Sequence, residues 1–385
     1  MDRATTRREF LRLMGAAAAG LLTSGCREIG VSTPEVVTTI PPSPTPAPGA
    51  AYLPTSVPPS AGLSARVAIA QAADYEPGRL RQQLRLMLDA LGGLSDVVRP
   101  GDKVAIKVNL TGGTRSEPAA GVPAIESYVT HPQVVLALGE LLRDAGAREL
   151  LIVEGVYDQE SYPSFGYEEV ARALDATLID LNAPHPYSDF ASMPVGESWF
   201  IYDHFAINRA LAEVDAFVSV AKLKCHYECG VTLSMKNLIG LVPVKQYRLD
   251  GTHWWRSALH GQANETKRRL PRVILDLNRA RPIHLAVIDG IKTAEGGEVP
   301  RGSFGPVEPG VLVAGKNAVA TDTVAAAVMG FVPTVEPPAA PFLRGDNHLN
   351  LAHGLGLGTN HLEEIQVLGL SIDEVLYRFR PSTEM

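Results

Sequence analysis

The sequence predicts an α/β fold: a mainly parallel β-sheet with flanking helices, arranged as two closely associated lobes. Short apolar runs rich in Val, Ile, Leu and Ala alternate along the chain with segments in which Leu or Val recurs every three or four residues. The first pattern is typical of buried strands and the second of amphipathic helices. Their repeated alternation is typical of a parallel sheet covered by helices. Charged residues follow several apolar runs, so ligand-binding groups are expected at the carboxyl edge of the sheet.

The spacing of apolar residues and the positions of turn- and cap-forming residues define the elements of the first half of the folded region. Leucines at every third or fourth position form the apolar face of the first helix. A Pro-Gly-Asp turn precedes the second strand. Thr130 is suited to cap the next helix, and Gly146 ends it. The elements predicted here are strands 67–70, 104–110, 150–153 and 177–180 and helices 80–91, 130–145 and 167–174.

The second half begins with the apolar run 216–221, which predicts a buried strand. A helical pattern follows over residues 256–279, and Pro271 predicts a break within it. Residues 292–309 are rich in Gly and Pro and are expected to form a loop. The remaining predicted elements are strands 283–288, 311–314 and 365–368 and helix 318–329.

The N-terminus has the pattern of an export signal. Residues 6–12 contain the adjacent arginines Arg7 and Arg8 followed by Phe-Leu, and a weakly apolar stretch covers residues 13–22. This is a twin-arginine pattern. Residues 23–26 resemble a lipoprotein cleavage box that ends at Cys26. We therefore expect residues 1–26 to direct export through the twin-arginine machinery, with lipid anchoring at Cys26 on the outer face of the cytoplasmic membrane or in a periplasm.

Composition sets the remaining boundaries. Residues 27–63 are rich in Pro, Ser, Thr and Ala, which predicts a disordered linker. Residues 64–380 then form the α/β domain, and an apolar content of 45% is enough for its core. The formal net charge of −7 argues against nucleic acid as a partner.

Residues 222–241 contain many of the side chains that are suited to catalysis or ligand binding. This stretch starts directly after the apolar run 216–221 and contains lysines, a histidine, two cysteines and an asparagine. Lys236 and Asn237 stand between apolar residues, which predicts burial. A desolvated lysine loses its proton readily and can act as a base or nucleophile. The alternative, a solvated loop, would not need the apolar residues around Lys236.

The chain resembles the domain of unknown function 362 (DUF362) family from about residue 66 to residue 370. The blocks that carry the resemblance are residues 101–109 (GDKVAIKVN), 130–132 (THP), 146–147 (GA), 154–155 (EG), 222–226 (KLKCH), 232–241 (TLSMKNLIGL), 260 (H), 289–291 (DGI), 295–296 (EG) and 318–322 (AVATD). The family name implies no reaction. Some relatives carry a ferredoxin-like cysteine cluster, but this chain has only Cys225 and Cys229 besides Cys26. A protein-held four-cysteine iron–sulfur cluster is therefore excluded within one chain, and a disulfide or free thiols are expected at the pair.

A more distant similarity is to the nickel-pincer lactate racemase family. The order of residues that is similar is His226, Gly230, Lys236, Gly240 and then His253 or His260. In that family a lysine bonds the pincer cofactor, and histidines ligate nickel or move protons. The loop that ends at Arg115 resembles the substrate end of that family's site. The chain departs from the pattern at residues 234–235, where the family has a glycine pair, and at residues 155–156, where it has a histidine.

These observations predict a candidate site. The predicted catalytic residues are Lys236, His226 and His260. Cations that converge in an acidic protein indicate an anionic ligand, and the predicted substrate-binding residues are Lys107, Asn109, Arg115, Lys222, Lys224 and Asn237. The predicted ligands for a divalent metal or organometallic cofactor are His226, His260, Glu154, Asp289 and Glu295.

Two functions are compatible with such a site. One is a cofactor-dependent isomerase or oxidoreductase that acts on a small anionic organic acid. The alternative is a membrane-tethered solute-binding lipoprotein without catalysis.

Overall fold

The computed structural model describes residues 65–116, 121–262 and 265–383. The predicted signal at residues 1–26, with Cys26, and the predicted linker at residues 27–63 lie outside these ranges. Within them, no helix combines the length and the apolar character that a bilayer crossing requires.

Strands and helices alternate through most of the described chain. In chain order the strands are β1 (Ala65–Gln71), β2 (Lys103–Lys107), β3 (Glu149–Glu154), β4 (Thr177–Asp180), β5 (Ala191–Pro194), β6 (His204–Ile207), β7 (Ala216–His226), β8 (Gly230–Thr232), β9 (Leu285–Glu295), β10 (Gly305–Val307), β11 (Val311–Gly315) and β12 (Ile365–Gly369). The helices are α1 (Pro77–Ala90), α2 (Pro132–Asp144), α3 (Ser161–Ser164), α4 (Tyr167–Leu174), α5 (Ala210–Glu213), α6 (Ser257–His260), α7 (Thr266–Ala280), α8 (Ala318–Val328) and α9 (His348–Gly354). A 3₁₀-helical segment, Lys236–Leu241, follows β8.

Most strands belong to one mixed sheet with the order β12-β1-β11-β9-β7-β2-β3-β4, to which β8 adds beside β7 and β10 beside β9. The run from β9 to β4 is parallel throughout. Strand β11 runs opposite to both of its neighbours. Strands β5 and β6 pair separately. The predicted α/β fold with a mostly parallel central sheet is confirmed, and the division into two lobes stays a prediction.

Strand β7 is the central strand, and all of its residues are buried because both of its faces are covered. Val218 and Val220 pack into the core beneath α1 and α2. Ala221 and Leu223 pack into the core beneath α7 and α8. Since side chains alternate along a strand, the even-numbered residues of β7 face α1 and α2. This alternation decides where the polar residues at the end of β7 point.

Three local predictions are wrong. The helix cap expected at Thr130 is provided by His131, whose Nδ1 accepts from the backbone N–H of Gln133 at 3.2 Å. The loop expected over residues 292–309 contains the end of β9 and all of β10, which pair antiparallel with Gly305 opposite Glu295. The helix expected over residues 256–279 is divided into α6 and α7, and α7 continues through Pro271 without a break. The proline leaves the carbonyl of Lys267 without a helical donor. The backbone N–H of Asp346 donates to that carbonyl at 2.8 Å, so the helix tolerates Pro271.

Candidate functional site

The end of β7 places three basic side chains on one face. Lys222, Lys224 and His226 are even-numbered and project on the side of the sheet covered by α1 and α2. Thr232 of β8 lies opposite Lys224 in the antiparallel register. Directly opposed residues share a face, so the Thr232 hydroxyl points to the same side.

Lys222 is neutralised inside the protein. Its Nζ lies 2.8 Å from Oδ2 of Asp289, and neither side chain is exposed. Nζ also donates to the Tyr75 hydroxyl at 3.2 Å. The same Asp289 oxygen accepts from the backbone N–H of His131 at 3.1 Å. This saturated network fits a structural role better than the predicted substrate-binding role.

Lys107 is also neutralised. Its Nζ lies 2.9 Å from Oε1 of Glu154 and donates to the carbonyl of Val108 at 2.6 Å. The Asn237 amide oxygen accepts from Nδ2 of Asn109 at 3.1 Å and lies 3.4 Å from Lys107 Nζ. The structure therefore brings the predicted residues Lys107, Asn109 and Asn237 together, but as a paired network in which the lysine charge is compensated.

Lys224 has no carboxylate partner among the described residues. Its Nζ donates to the carbonyls of Tyr128 at 2.6 Å and Glu298 at 3.0 Å. Burial, followed by the positive charge of Lys236, lowers the pKa of Lys224 to about 7. A lysine with a pKa in this range exchanges its proton near neutral pH.

Lys236 is 9% exposed. Across the described ranges, no carboxylate lies within ion-pairing distance of its Nζ and no acceptor within hydrogen-bonding distance. Its charge lowers the pKa of Lys224 and of His226. Lys236 is therefore a nearly buried cation, among other basic groups, without a partner in the part of the chain that the structure describes.

His226 is a neutral imidazole oriented by the backbone. Its Nδ1 accepts from the backbone N–H groups of Glu228 at 3.1 Å and Cys229 at 3.2 Å, so the ring proton is on Nε2. Nε2 lies 3.9 Å from Oε1 of Glu298. Burial, followed by the charge of Lys236, lowers the pKa of His226 well below its ordinary value.

His260, at the end of α6, interacts through Nδ1 with Oε2 of Glu228. Burial acts to raise the pKa of Glu228, but the hydrogen bond and charge of His260, together with Lys236, outweigh it and lower that pKa. The ring of Trp255 meets His260 edge-on with centroids 4.7 Å apart. Glu228 therefore connects His260 electrostatically to Lys236.

The turn before Lys236 is fixed by residues from two helices. The Asp322 carboxylate of α8 accepts from the backbone N–H groups of Ser234 at 2.8 Å and Met235 at 2.9 Å, and from the Ser234 hydroxyl. Asn278 of α7 donates to the carbonyl of Met235 at 3.0 Å. The position of the Lys236 backbone is thus set by the core rather than by a loop.

The sequence analysis missed His348, the first residue of α9. Its side chain is completely buried, and neither ring nitrogen has a hydrogen-bond partner within the described part of the protein. Burial, and then the charge of Lys236, lowers the pKa of His348 to about 3. We use the term lysine–histidine cluster for Lys224, His226, Lys236, His260 and His348.

Other predicted site residues lie apart from this cluster. Arg115 is exposed at the end of a short 3₁₀ segment. The Glu295 carboxylate accepts from the backbone N–H of Arg380 at 2.8 Å and pairs with its guanidinium at 2.5 Å. Cys225 and Cys229 are buried free thiols. A surface depression of about 500 Å³ is lined by residues 71–73, 291 and 308–310 and contains no member of the cluster.

The five predicted metal ligands do not form one group. The carboxylates of Glu154, Asp289 and Glu295 are engaged with three different cations. The described residues contain no set of three or more His, Cys, Asp or Glu side chains placed to hold a metal ion. The residues present therefore do not fit the predicted metal site, and no chemical step is derived through such a group.

Comparisons with known proteins give a family match, one similar protein and weak likenesses to solved structures. The model of a domain of unknown function, DUF362, matches residues 104–327, which is more than half of the chain. A thylakoid-associated protein of Synechocystis sp. is 27% identical over 320 residues, which cover 80% of this chain and 88% of that protein.

Two solved structures show a weaker likeness. A protein from Thermotoga maritima aligns with a TM-score of 0.34 at 14% identity, over 65% of this chain and 57% of its own. The lactate racemase apoprotein from Thermoanaerobacterium thermosaccharolyticum aligns with a TM-score of 0.33 at 13% identity, over 63% of this chain and 54% of its own. This chain spans a little over half the length of each. At these scores neither structure supports an argument about reaction or cofactor.

Proposed function

The chain belongs to the DUF362 family, and from that membership and the lysine–histidine cluster we propose that the protein is an enzyme that binds a small organic anion at Lys236. One observation carries the proposal: Lys236 is nearly buried and has no acceptor or carboxylate partner among the described residues. By contrast, Lys107 and Lys222 each contact a carboxylate.

The energetics favour an anion beside Lys236. An ammonium group that is removed from water without a counter-charge loses several kcal/mol of hydration free energy. Lys224, whose two acceptors are neutral carbonyls, adds a second amine to the same region. A bound carboxylate would compensate the charge of Lys236 and would be held by charge-assisted hydrogen bonds.

Proton transfer is the chemistry that these residues support. Lys236 would hold the carboxylate and fix the neighbouring carbon in place, which is the positioning that lowers the barrier of many enzyme reactions. Lys224, with a pKa of about 7, is matched to accept and return a proton at neutral pH. This arrangement favours an isomerase that moves a proton on the carbon next to the carboxylate.

Binding is tested by calorimetry with acetate and succinate. The native protein is expected to bind at least one of them, and Lys236→Met should abolish the binding. Lys245→Met, which removes an exposed lysine nine positions later, is the matched control and should bind normally. If neither acid binds, or if Lys236→Met binds as well as the native protein, the proposed site is wrong.

Catalysis is tested separately by proton NMR of succinate in D₂O. An enzyme of the proposed class exchanges the hydrogens next to the carboxylate for deuterium, and Lys236→Met should remove this exchange. Binding without any exchange would contradict the catalytic part and support the solute-binding alternative.

We further propose that the protein is exported and anchored through Cys26 by a lipid. The twin-arginine pattern around Arg7 and Arg8 supports this location. The relative from Synechocystis is named a thylakoid-associated protein. That name is compatible with a membrane-associated location for this chain.

A further inference from the structure

The segment before α9 places His348 near the tip of the β7–β8 hairpin. Gly230 of β8 has a φ of +77°, and a Cβ atom there would lie 2.9 Å from both the Phe342 ring and the Pro341 carbonyl oxygen. The Phe342 ring meets His348 edge-on with centroids 5.7 Å apart. Gly230 is also the register partner of His226. The segment therefore closes over the hairpin at the position of the lysine–histidine cluster.

Two polar side chains in this region lack partners. Both ring nitrogens of His348 and the hydroxyl of Thr232 are buried, and no described residue forms a hydrogen bond with them. A buried polar group that is left unsatisfied costs about 1–3 kcal/mol. Lys236 and His348 are thus two polar side chains of the lysine–histidine cluster that have no protein partner among the described residues.

The hydrogen-bond donor and acceptor of a neutral imidazole determine which ligand groups can pair with His348. The neutral ring has one N–H donor and one nitrogen acceptor, and a pKa of about 3 keeps it neutral at physiological pH. A simple carboxylate offers acceptors only. It can satisfy Lys236 and the N–H of His348, but it leaves the other ring nitrogen without a donor.

We infer that His348 is a specificity-determining residue of the Lys236 site, and that the ligand is a small acid with a second, uncharged polar group that both donates and accepts hydrogen bonds, such as a hydroxyl or an amide. This inference rests on the proposed function, because it assumes that the acid group of the ligand is bound at Lys236. The second polar group contacts His348.

The test compares acids that differ only in the second group. Calorimetry is performed with acetate and glycolate, which differ by a hydroxyl, and with propionate and malonamate, which differ by an amide in place of a methyl group. The native protein should bind the substituted acid of at least one pair about tenfold more tightly, which corresponds to about 1.4 kcal/mol. His348→Phe should reduce that preference to less than about twofold. His361→Phe, which alters a partly exposed histidine, is the control and should keep the preference.

A second measurement covers the case in which His348→Phe does not fold. In native protein with ¹⁵N-labelled histidine, glycolate or malonamate should shift the ring-nitrogen signals of His348, and acetate should shift them less. Equal affinities within both pairs, or a preference that survives in His348→Phe, would overturn the inference while the anion site stands. Absence of binding by all four acids and by succinate would overturn the proposed function itself.

Discussion

The same substitution at the two buried lysines Lys107 and Lys236 should destabilise the protein at Lys107 but not at Lys236. Lys107→Met removes a 2.9 Å ion pair to Glu154 and a 2.6 Å hydrogen bond to the Val108 carbonyl. Among the described residues, the Glu154 carboxylate, 5% exposed, then keeps only the backbone donors of Leu110 at 3.0 Å and Gly155 at 2.9 Å. Removal of one partner from a buried ion pair typically costs about 3–5 kcal/mol.

Lys236→Met removes a cation that has no partner among the described residues. No ion pair is lost, and the desolvation penalty of the charge disappears. The free energy of unfolding is therefore expected to stay unchanged or to rise by about 1 kcal/mol.

Urea unfolding followed by circular dichroism measures both effects. The midpoint for Lys107→Met should fall by about 1 M or more, given the slopes usual for domains of this size. The double variant Lys107→Met/Glu154→Gln should recover part of the loss, because the uncompensated carboxylate is gone. If Lys236→Met is destabilised as strongly as Lys107→Met, Lys236 is a structural cation with core acceptors, and the reasoning for an anion site fails.

Three further predictions follow from burial and sequence. Cys225 and Cys229 should react with a thiol reagent only after unfolding. Both thiols are fully buried, and burial raises the pKa of both, that of Cys225 to about 12. Rapid labelling of the folded protein would contradict this prediction. Burial raises the pKa of Asp322 from 3.8 to about 7 despite its hydrogen bonds, so the folded state binds the proton more tightly. This carboxyl therefore contributes stability that is fully present below about pH 4 and is lost as the pH rises to about 7, by roughly 4 kcal/mol at most. Because the buried His226 and His348 have lowered pKa values and act in the opposite direction over part of this range, the test is the urea midpoint of the native protein relative to that of Asp322→Asn, which should fall between pH 5 and pH 8. Replacement of Arg7 and Arg8 by Lys should leave the protein in the cytoplasm of its host, and unchanged export in fractionated cells would refute the twin-arginine signal.

Local patterns were sufficient for most of the fold. The apolar run at residues 216–221 and the spacing of leucines in α1 depend on neighbours in sequence, and both elements are present. Strand β10 and the continuation of β9 were missed because glycines and prolines predict a loop, while antiparallel pairing to Glu295 overrides that preference. Pro271 was misjudged because its compensating donor, Asp346, comes from a distant segment.

The site was predictable only in its residue types. The sequence indicated a concentration of lysines, and the structure shows that Lys222 is paired with a carboxylate 67 positions away. No local signal separates such a neutralised lysine from the unpaired Lys236. His348 was overlooked for the same reason, since its block carries no motif and only the packing of Phe342 against Gly230 brings it to the cluster.

The position of β1 in the sheet has a consequence for synthesis. Ala65 of β1 lies opposite Ile365 of β12, and Val67 lies opposite Gly315 of β11. Both partners are therefore made long after β1, the later one 300 positions along the chain. At a translation rate of about 5–20 residues per second, β1 waits roughly 15–60 s for its second neighbour. Until β11 is made, β1 has two unpaired edges that another strand could occupy, so β1 is a segment of the nascent chain that needs protection from pairing with other strands.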